Sequence, residues 1–338
     1  MIRGVAVSIV VIPGFISSPA MAQQTCEEML KLPPGFCASH SDQLVEFESL
    51  LRSAQQQLQD GLKNALFSPS LTGHYSFSLT ELQPLSEQGD DRASFALGIM
   101  YLDGLGVQKN PVLGATLVRQ AAKNYFFHEA QYVTGLLYER GVGVTEDKLT
   151  ALSWFQKSAD IGNAKAQVRM GYAYLLGEGV PENAVASFDW FRKAAVQGNS
   201  VAQFQLWRFN SEGIGASRRL EDKREAQEWL TSSAKAGFAI SQSVLSASYE
   251  AGTNGFTQDF VAAYKWIELI DSMAEPTACP VMDHPTMDHE AALAGCLYIK
   301  ATAKFRRDAM SKSMTYGQIV DAQAMANRCL ASKFKDCD

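Results

Sequence analysis

Basic charge is the first thing this chain is short of. Its 338 residues carry 30 Lys and Arg against 36 Asp and Glu, a formal net charge of −6, and no run of like charge forms a tail or a patch. Nucleic-acid binding draws its affinity from a basic stripe that displaces counterions, so no nucleic-acid partner is expected. Long apolar runs are missing too. The clearest, Val5 to Ile16, is broken by Pro13 and Gly14 and falls short of the roughly 20 residues that span a bilayer as a helix. With Arg3 before it and Ala20-Met21-Ala22 after it, the run has the three regions of a secretory signal peptide. Residues 1–22 are therefore expected to be removed, leaving Gln23 first. No cysteine directly follows that cut, so no lipid anchor is expected.

Cysteine is absent from the middle of the chain. Cys26, Cys37, Cys279, Cys296, Cys329 and Cys337 all lie toward the ends, and an oxidising compartment would let them pair. Pro33-Pro34-Gly35 is a turn that can bring Cys26 onto Cys37. Met287 to about Met310 and Thr315 to about Ser332 read as two helices, the second opened by a Thr315-x-x-Gln318 capping box. An antiparallel hairpin about Ser311 to Ser313 would set Cys296 opposite Cys329 and leave Cys279 for Cys337. Cys279, His284, His289 and Cys296 carry zinc-ligand atoms, but their spacing fits no usual finger and exported cysteines oxidise more readily than they bind metal. The Gly-x-Gly pairs lack both a third glycine and the Gly-Lys-Ser/Thr of a phosphate loop. No metal and no cofactor are expected, and His40, His74 and His128 sit near no nucleophile pattern.

What the chain does have is repetition. The stretch Gly141 to Gly162 reads as turn, helix, turn and returns in altered form four more times. First helices are read from Ala93, Ala130, Ala166, Ala202 and Ser241, with periods of 37, 36, 36 and 39 residues. Glycine recurs inside them at Gly98, Gly135 and Gly171. Because glycine costs about 1 kcal/mol in a helix, close approach of a neighbouring backbone is inferred there. Each second helix has its cap at Asn110, Asp147, Asn183, Asp222 or Asp259, side chains that can accept from first-turn amides. Four residues on come Gly114, Ala151, Ser187, Ala226 and Ala263, and seven on come Leu117, Trp154, Trp190, Trp229 and Trp266. The last two sets read as the buried face. Length varies only in the turn, where the cap follows the first glycine by 6, 6, 6, 9 and 7 positions. Stacked helical hairpins tolerate such insertions.

The string A-x-x-x-L-G-x-x-Y-x-x-G-x-G-V followed by D-x-x-x-A-x-x-W-x-x-K-A-A resembles the Sel-1-like repeat (SLR), a relative of the tetratricopeptide repeat. The likeness runs from about Leu79 to Ile270, and Ala166 to Ala195 matches it almost residue for residue. Trp207, Ser246 and Asn210 depart from it. The resemblance implies an all-α superhelix of helical hairpins with helical caps. The expected plan is a signal peptide at 1–22, an N-terminal cap at 23–78 containing a helix from Ser41 to Phe67, an array at 79–275 opened by a half unit at 79–92, and a disulfide-linked hairpin at 276–338.

It also implies a non-enzymatic adaptor that holds a protein or peptide in its concave groove, in the periplasm or secreted. First helices would line that groove, and positions three and six residues from each start would face it free of packing. In the middle repeats these are Arg169, Tyr172, Gln205 and Arg208; in the outer ones they are apolar, Ala96 and Ile99, Val133 and Leu136, and Val244 and Ala247. Arg and Tyr are favoured interface anchors. The alternative is a hydrolase of β-lactam or cell-wall amides, because some cysteine-rich relatives are linked to such chemistry and Ser232-x-x-Lys235 matches one β-lactamase element. The Ser-Asp-Asn and Lys-Thr-Gly elements that should accompany it are missing.

Overall fold

Each repeat is folded by its own punctuation. The computed structural model describes residues 79–214, 223–272 and 289–337, and these form thirteen helices and no strand. After α1 (Leu79–Glu87) come five hairpins: α2 (Asp91–Asp103) with α3 (Pro111–Ala121), α4 (His128–Arg140) with α5 (Lys148–Asp160), α6 (Ala164–Leu176) with α7 (Ala184–Val196), α8 (Ser200–Glu212) with α9 (Lys223–Lys235), and α10 (Ala239–Ala251) with α11 (Phe260–Asp271). α12 (His289–Ser311) and α13 (Tyr316–Ala331) follow. From α1 to α11 each helix packs on its neighbours in the chain, the all-α solenoid of hairpins that the repeats imply. The expected signal peptide, the expected N-terminal cap with Cys26 and Cys37, Asp222, Cys279, His284 and the side chains of His289 and Cys296 lie outside the described residues.

The punctuation acts as read. Gly104, Gly141, Gly177, Gly213 and Gly252 end the first helices in the left-handed region, where a residue without Cβ pays no steric penalty. Asn110, Asp147, Asn183 and Asp259 cap the second helices through their side chains. First helices, however, begin two residues before the alanines. Asp90, Asn163 and Asn199 cap three of them by accepting from the amides of Ala93, Ala166 and Ala202.

The buried face of the second helix agrees with the reading at the small position and at Trp266, which is 2% exposed, and differs from it at position seven of the first four repeats. Ala151 is buried, but Trp154 and Trp190 are only half-buried, with Lys157 and Lys193 lying 4.2 and 3.8 Å over their rings. The core residue stands one place later. Val118, Phe155, Phe191, Leu230 and Ile267, eight residues after each cap, are all at most 3% exposed. At 100° per residue, positions four, eight and eleven fall within an arc of about 60°, and position seven falls outside it.

The C-terminal hairpin is also corrected. α11 is buried almost all round, through Ala263, Tyr264, Lys265, Trp266, Ile267, Leu269 and Ile270. Such a helix needs cover on more than one side, and α12 and α13 both pack on it. Cys329 is bonded to Cys337, so neither the expected Cys296–Cys329 nor the expected Cys279–Cys337 pairing forms. Beyond α13 the chain turns back through Lys333 and Phe334, both left-handed with φ of 53° and 64°. For non-glycine residues that costs on the order of 1 kcal/mol each. The Phe334 amide donates to the Cys329 carbonyl, and the buried Lys265 ammonium donates to the Cys337 carbonyl at 2.6 Å. The capping box at Thr315 and Gln318 is present as read.

Candidate functional site

Of the four polar residues expected to line the groove, Tyr172, Gln205 and Arg208 form a hydrogen-bonded chain and Arg169 is buried against α4, so the place of the expected open surface is taken by a largely buried polar seam. Arg169 on α6 is 4% exposed; it donates to Glu139 of α4 at 3.2 Å and lies 5.6 Å over the Phe155 ring. Tyr172, one turn on, is buried, and its hydroxyl accepts from Gln205 Nε2 on α8 at 2.7 Å. Gln205 is buried too, and its carbonyl accepts from Arg208 at 3.3 Å. Only Arg208 reaches the surface, with its side chain 32% exposed, where it grips Glu212 through two bonds of 2.9 and 2.8 Å. Those bonds hold the Glu212 carboxyl below the ordinary carboxylate range and push the guanidinium of Arg208 up.

Burial along this face follows chain order. Ala96, Ile99, Val133 and Leu136 are buried, whereas Val244 is half-buried and Ala247 exposed. The expectation that these positions are free of packing is thus corrected for the first three repeats and for Gln205 of the fourth. The face opens at Arg208 and continues to Ala247.

A recurrent glutamine escaped the sequence reading. Gln167, Gln203 and Gln242, each directly after a repeat start, donate from Nε2 to the carbonyls of Ala159, Ala195 and Ala234 at 3.1 to 3.2 Å. Gln131 does the same to Asn124 and Tyr125. The first three clamp a repeat to the end of the preceding second helix, and Gln131 clamps its repeat to the turn after that helix. Their recurrence at a fixed position in a buried helix face was the available signal.

Ser232 occupies the exposed position that Lys157 and Lys193 hold in earlier repeats. Its neighbour Ser233 is buried and donates to the Ser200 carbonyl at 2.7 Å, as Ser158 donates to the His128 carbonyl at 2.7 Å. The Ser-x-x-Lys string is thus accounted for by repeat packing. Among the described residues no cluster of His, Cys, Asp and Glu could hold a metal ion, and no helix is long and apolar enough to cross a membrane.

Hairpins stacked in sequence, clamped at every joint and carrying polar side chains across successive first helices, define an α-solenoid scaffold. Five stretches, residues 91–125, 128–163, 164–199, 200–238 and 239–269, match the Sel1 repeat. The chain belongs to the Sel1 repeat family, whose members are typically non-enzymatic scaffolds for protein–protein interaction. It is similar to a Sel1 repeat protein from Oxalobacter formigenes, with 30% identity over 57% of this chain and 78% of that one and a TM-score of 0.51. A protective antigen present in uropathogenic Escherichia coli strains, displaying an SLR fold, aligns at 20% identity over 73% of this chain and 62% of its own, with a TM-score of 0.38. An immunity protein from Pseudomonas aeruginosa aligns at 16% over 63% and 81%, with a TM-score of 0.36.

Proposed function

We propose that the protein is an exported scaffold of the bacterial periplasm that holds a protein or peptide on its first-helix face where repeats three to five meet. The signal-peptide pattern of residues 1–22 supports the address. One observation carries the binding reading: Arg208 is half-exposed at the end of a buried polar seam, and its guanidinium is oriented from behind by Gln205. A guanidinium fork takes a carboxylate through two parallel bonds. A partner carboxylate would replace Glu212 on a cation already in place, and Val244 and Ala247 offer its apolar neighbour a flank. The fitting ligand is a chain segment with an acidic residue beside a small apolar one, engaged without any chemical step.

Site-specific photo-cross-linking in cells tests this, with the probe at Ala247. The wild type should capture a discrete partner, and Arg208→Glu should lower its yield about tenfold or more, as loss of a desolvated charge pair does. Equal capture by Arg208→Glu would sink the reading. Arg169 is the wrong residue for charge reversal, because it is buried and the variant would report on folding.

A further inference from the structure

A second surface lies on another edge of the array, where the Gly-x-Gly turns meet the starts of the second helices. The second residue after the cap is exposed and aliphatic in three successive repeats: Val112 at 65%, Leu149 at 67% and Val185 at 49%. In repeat four the position is Arg224, and the row stops. The edge is continuous. A Cβ on Gly143 would collide with the Pro111 carbonyl, and one on Gly179 would lie 3.2 Å from Leu149 and 2.8 Å from Leu152. Each turn therefore seats on the start of the preceding second helix, and the exposed Leu105 and Val142 of two such turns add to the row. Single exposed aliphatics are ordinary, but a contiguous row marks a contact surface. Beside it runs a charged row one residue before each cap, Lys109, Glu146 and Glu182, all exposed.

We propose that this edge binds a second copy of the chain about a two-fold axis through repeat two. The caps are 37 and 36 residues apart, so Val112 and Val185 stand one repeat to either side of Leu149. A two-fold interface uses the same patch twice and must be self-complementary. Here Leu149 meets the partner's Leu149, Val112 meets the partner's Val185, and Lys109 meets the partner's Glu182, with the last two contacts made twice. Parallel pairing about an axis along the array would carry the two charged rows to opposite sides of the aliphatic row and forgo these Lys109–Glu182 contacts, so the charges select the antiparallel arrangement. On the axis Glu146 approaches the partner's Glu146. Arg119 lines the same open depression as Glu146, Gly143 and Tyr138, with its guanidinium 5.7 Å over the Tyr138 ring, and supplies the cation that balances them. A row of five aliphatic side chains falls short of the roughly 800 Å² per partner of a stable interface, so the dimer is weak and reversible.

Sedimentation of the full chain over a wide concentration range tests the assignment. The wild type should show a concentration-dependent monomer–dimer equilibrium. Leu149→Asp and Val112→Asp should abolish it with helical circular dichroism unchanged, because both residues are exposed. Lys109→Glu should weaken the dimer about tenfold through like-charge contacts at both ends, and Lys109→Glu with Glu182→Lys should restore it. A wild type that stays monomeric at every concentration overturns the proposal and leaves the row to another kind of partner. Dimerisation of both aspartate variants like the wild type overturns it as well, and failure of the charge swap to recover affinity over Lys109→Glu overturns the two-fold register.

Discussion

Repeats two and three close the contact between their helices in one way, and repeats four and five in another. In the earlier pair, Gly135 faces the Phe155 ring and Gly171 faces the Phe191 ring, with an added Cβ falling 2.5 and 2.7 Å from the nearest ring carbon. In the later pair the glycine is replaced by Trp207 and Ser246, and the core residue opposite shrinks to Leu230 and Ile267. The Trp207 ring leaves the contact for Phe204, centroids 5.4 Å apart, while the Ser246 hydroxyl donates to the Ala263 carbonyl at 2.9 Å. Ser187 in repeat three makes the reciprocal bond, donating to the Gly171 carbonyl at 2.7 Å. Volume is traded across the pair of helices. A packed interior tolerates such exchange when the sum is kept, so departures from the repeat pattern that look like defects one residue at a time are compensated one helix away. Repeat one shows the limit of this trade, for Gly98 and Gly114 face each other, and of the first-helix glycines Gly98, Gly135 and Gly171 it is Gly98 that meets a neighbouring backbone.

The largest effect expected from this comparison separates two adjacent aromatics. Phe191→Ala should cost about 3–5 kcal/mol, the usual loss for a buried ring, because Phe191 is fully buried against Tyr172 and Phe209. Trp190→Ala should cost about 1–2 kcal/mol, because its half-buried ring loses chiefly the contact with Lys193. Hydrogen exchange of α6 and α7 is the proper readout, since stacked repeats open locally. If the two substitutions ranked the other way, the core position would have to be moved back to the tryptophan.

A smaller effect asks whether repeat three can be converted to the solution used by repeats four and five. Gly171→Ala should destabilise by about 1–3 kcal/mol through overpacking against the ring. Phe191→Leu, which imports the Leu230 solution, should absorb part of that cost. The double variant is expected to be more stable than the sum of the singles by about 1 kcal/mol, measured in urea with the same exchange probes. Simple additivity would mean that glycine is there for a reason other than the ring.

Much of the architecture was legible because it rests on local chemistry. A left-handed turn demands glycine, and a free helix amide demands a short acceptor, so the turn glycines and the caps at Asn110, Asp147, Asn183 and Asp259 could be read one residue at a time. The site was less legible because it depends on what lies across a helix. Tryptophan drew the eye as the most hydrophobic recurring residue, yet the true core position carries Val, Phe, Phe, Leu and Ile, a set whose constancy is in burial rather than identity. Arg169 and Gln205 read as surface residues from their polarity. Their burial depends on partners about one repeat away, Glu139 for the first and Tyr172 for the second, which no local pattern announces. The Cys329–Cys337 bond was hidden because it depends on two non-glycine residues with positive φ, the conformation that sequence predicts least well for Lys and Phe.

The smallest effect compares the caps of repeats two and three, which differ in charge and in the hydroxyl bond that Thr150 adds to the first. Asn183 accepts from the amides of Val185 and Ala186, and Asn183→Ala should cost about 1 kcal/mol at any pH. Asp147 accepts from the Thr150 and Leu149 amides and from the Thr150 hydroxyl. The Thr150 amide, then its hydroxyl, does most to hold the Asp147 carboxyl below its ordinary value of 3.8. A folded-state value below the unfolded one means that the unfolded chain binds the proton more tightly, so stability from this group is present above the unfolded value and is lost as pH falls through the folded one. Asp147→Asn keeps the acceptor and removes the charge. The wild type should therefore exceed Asp147→Asn in stability at neutral pH, converge on it under acid, and show no such pH dependence once repeat two is capped as repeat three is. Urea midpoints of the two proteins across that range measure the difference. A gap that persists below the folded value would assign it to hydrogen-bond geometry instead of charge.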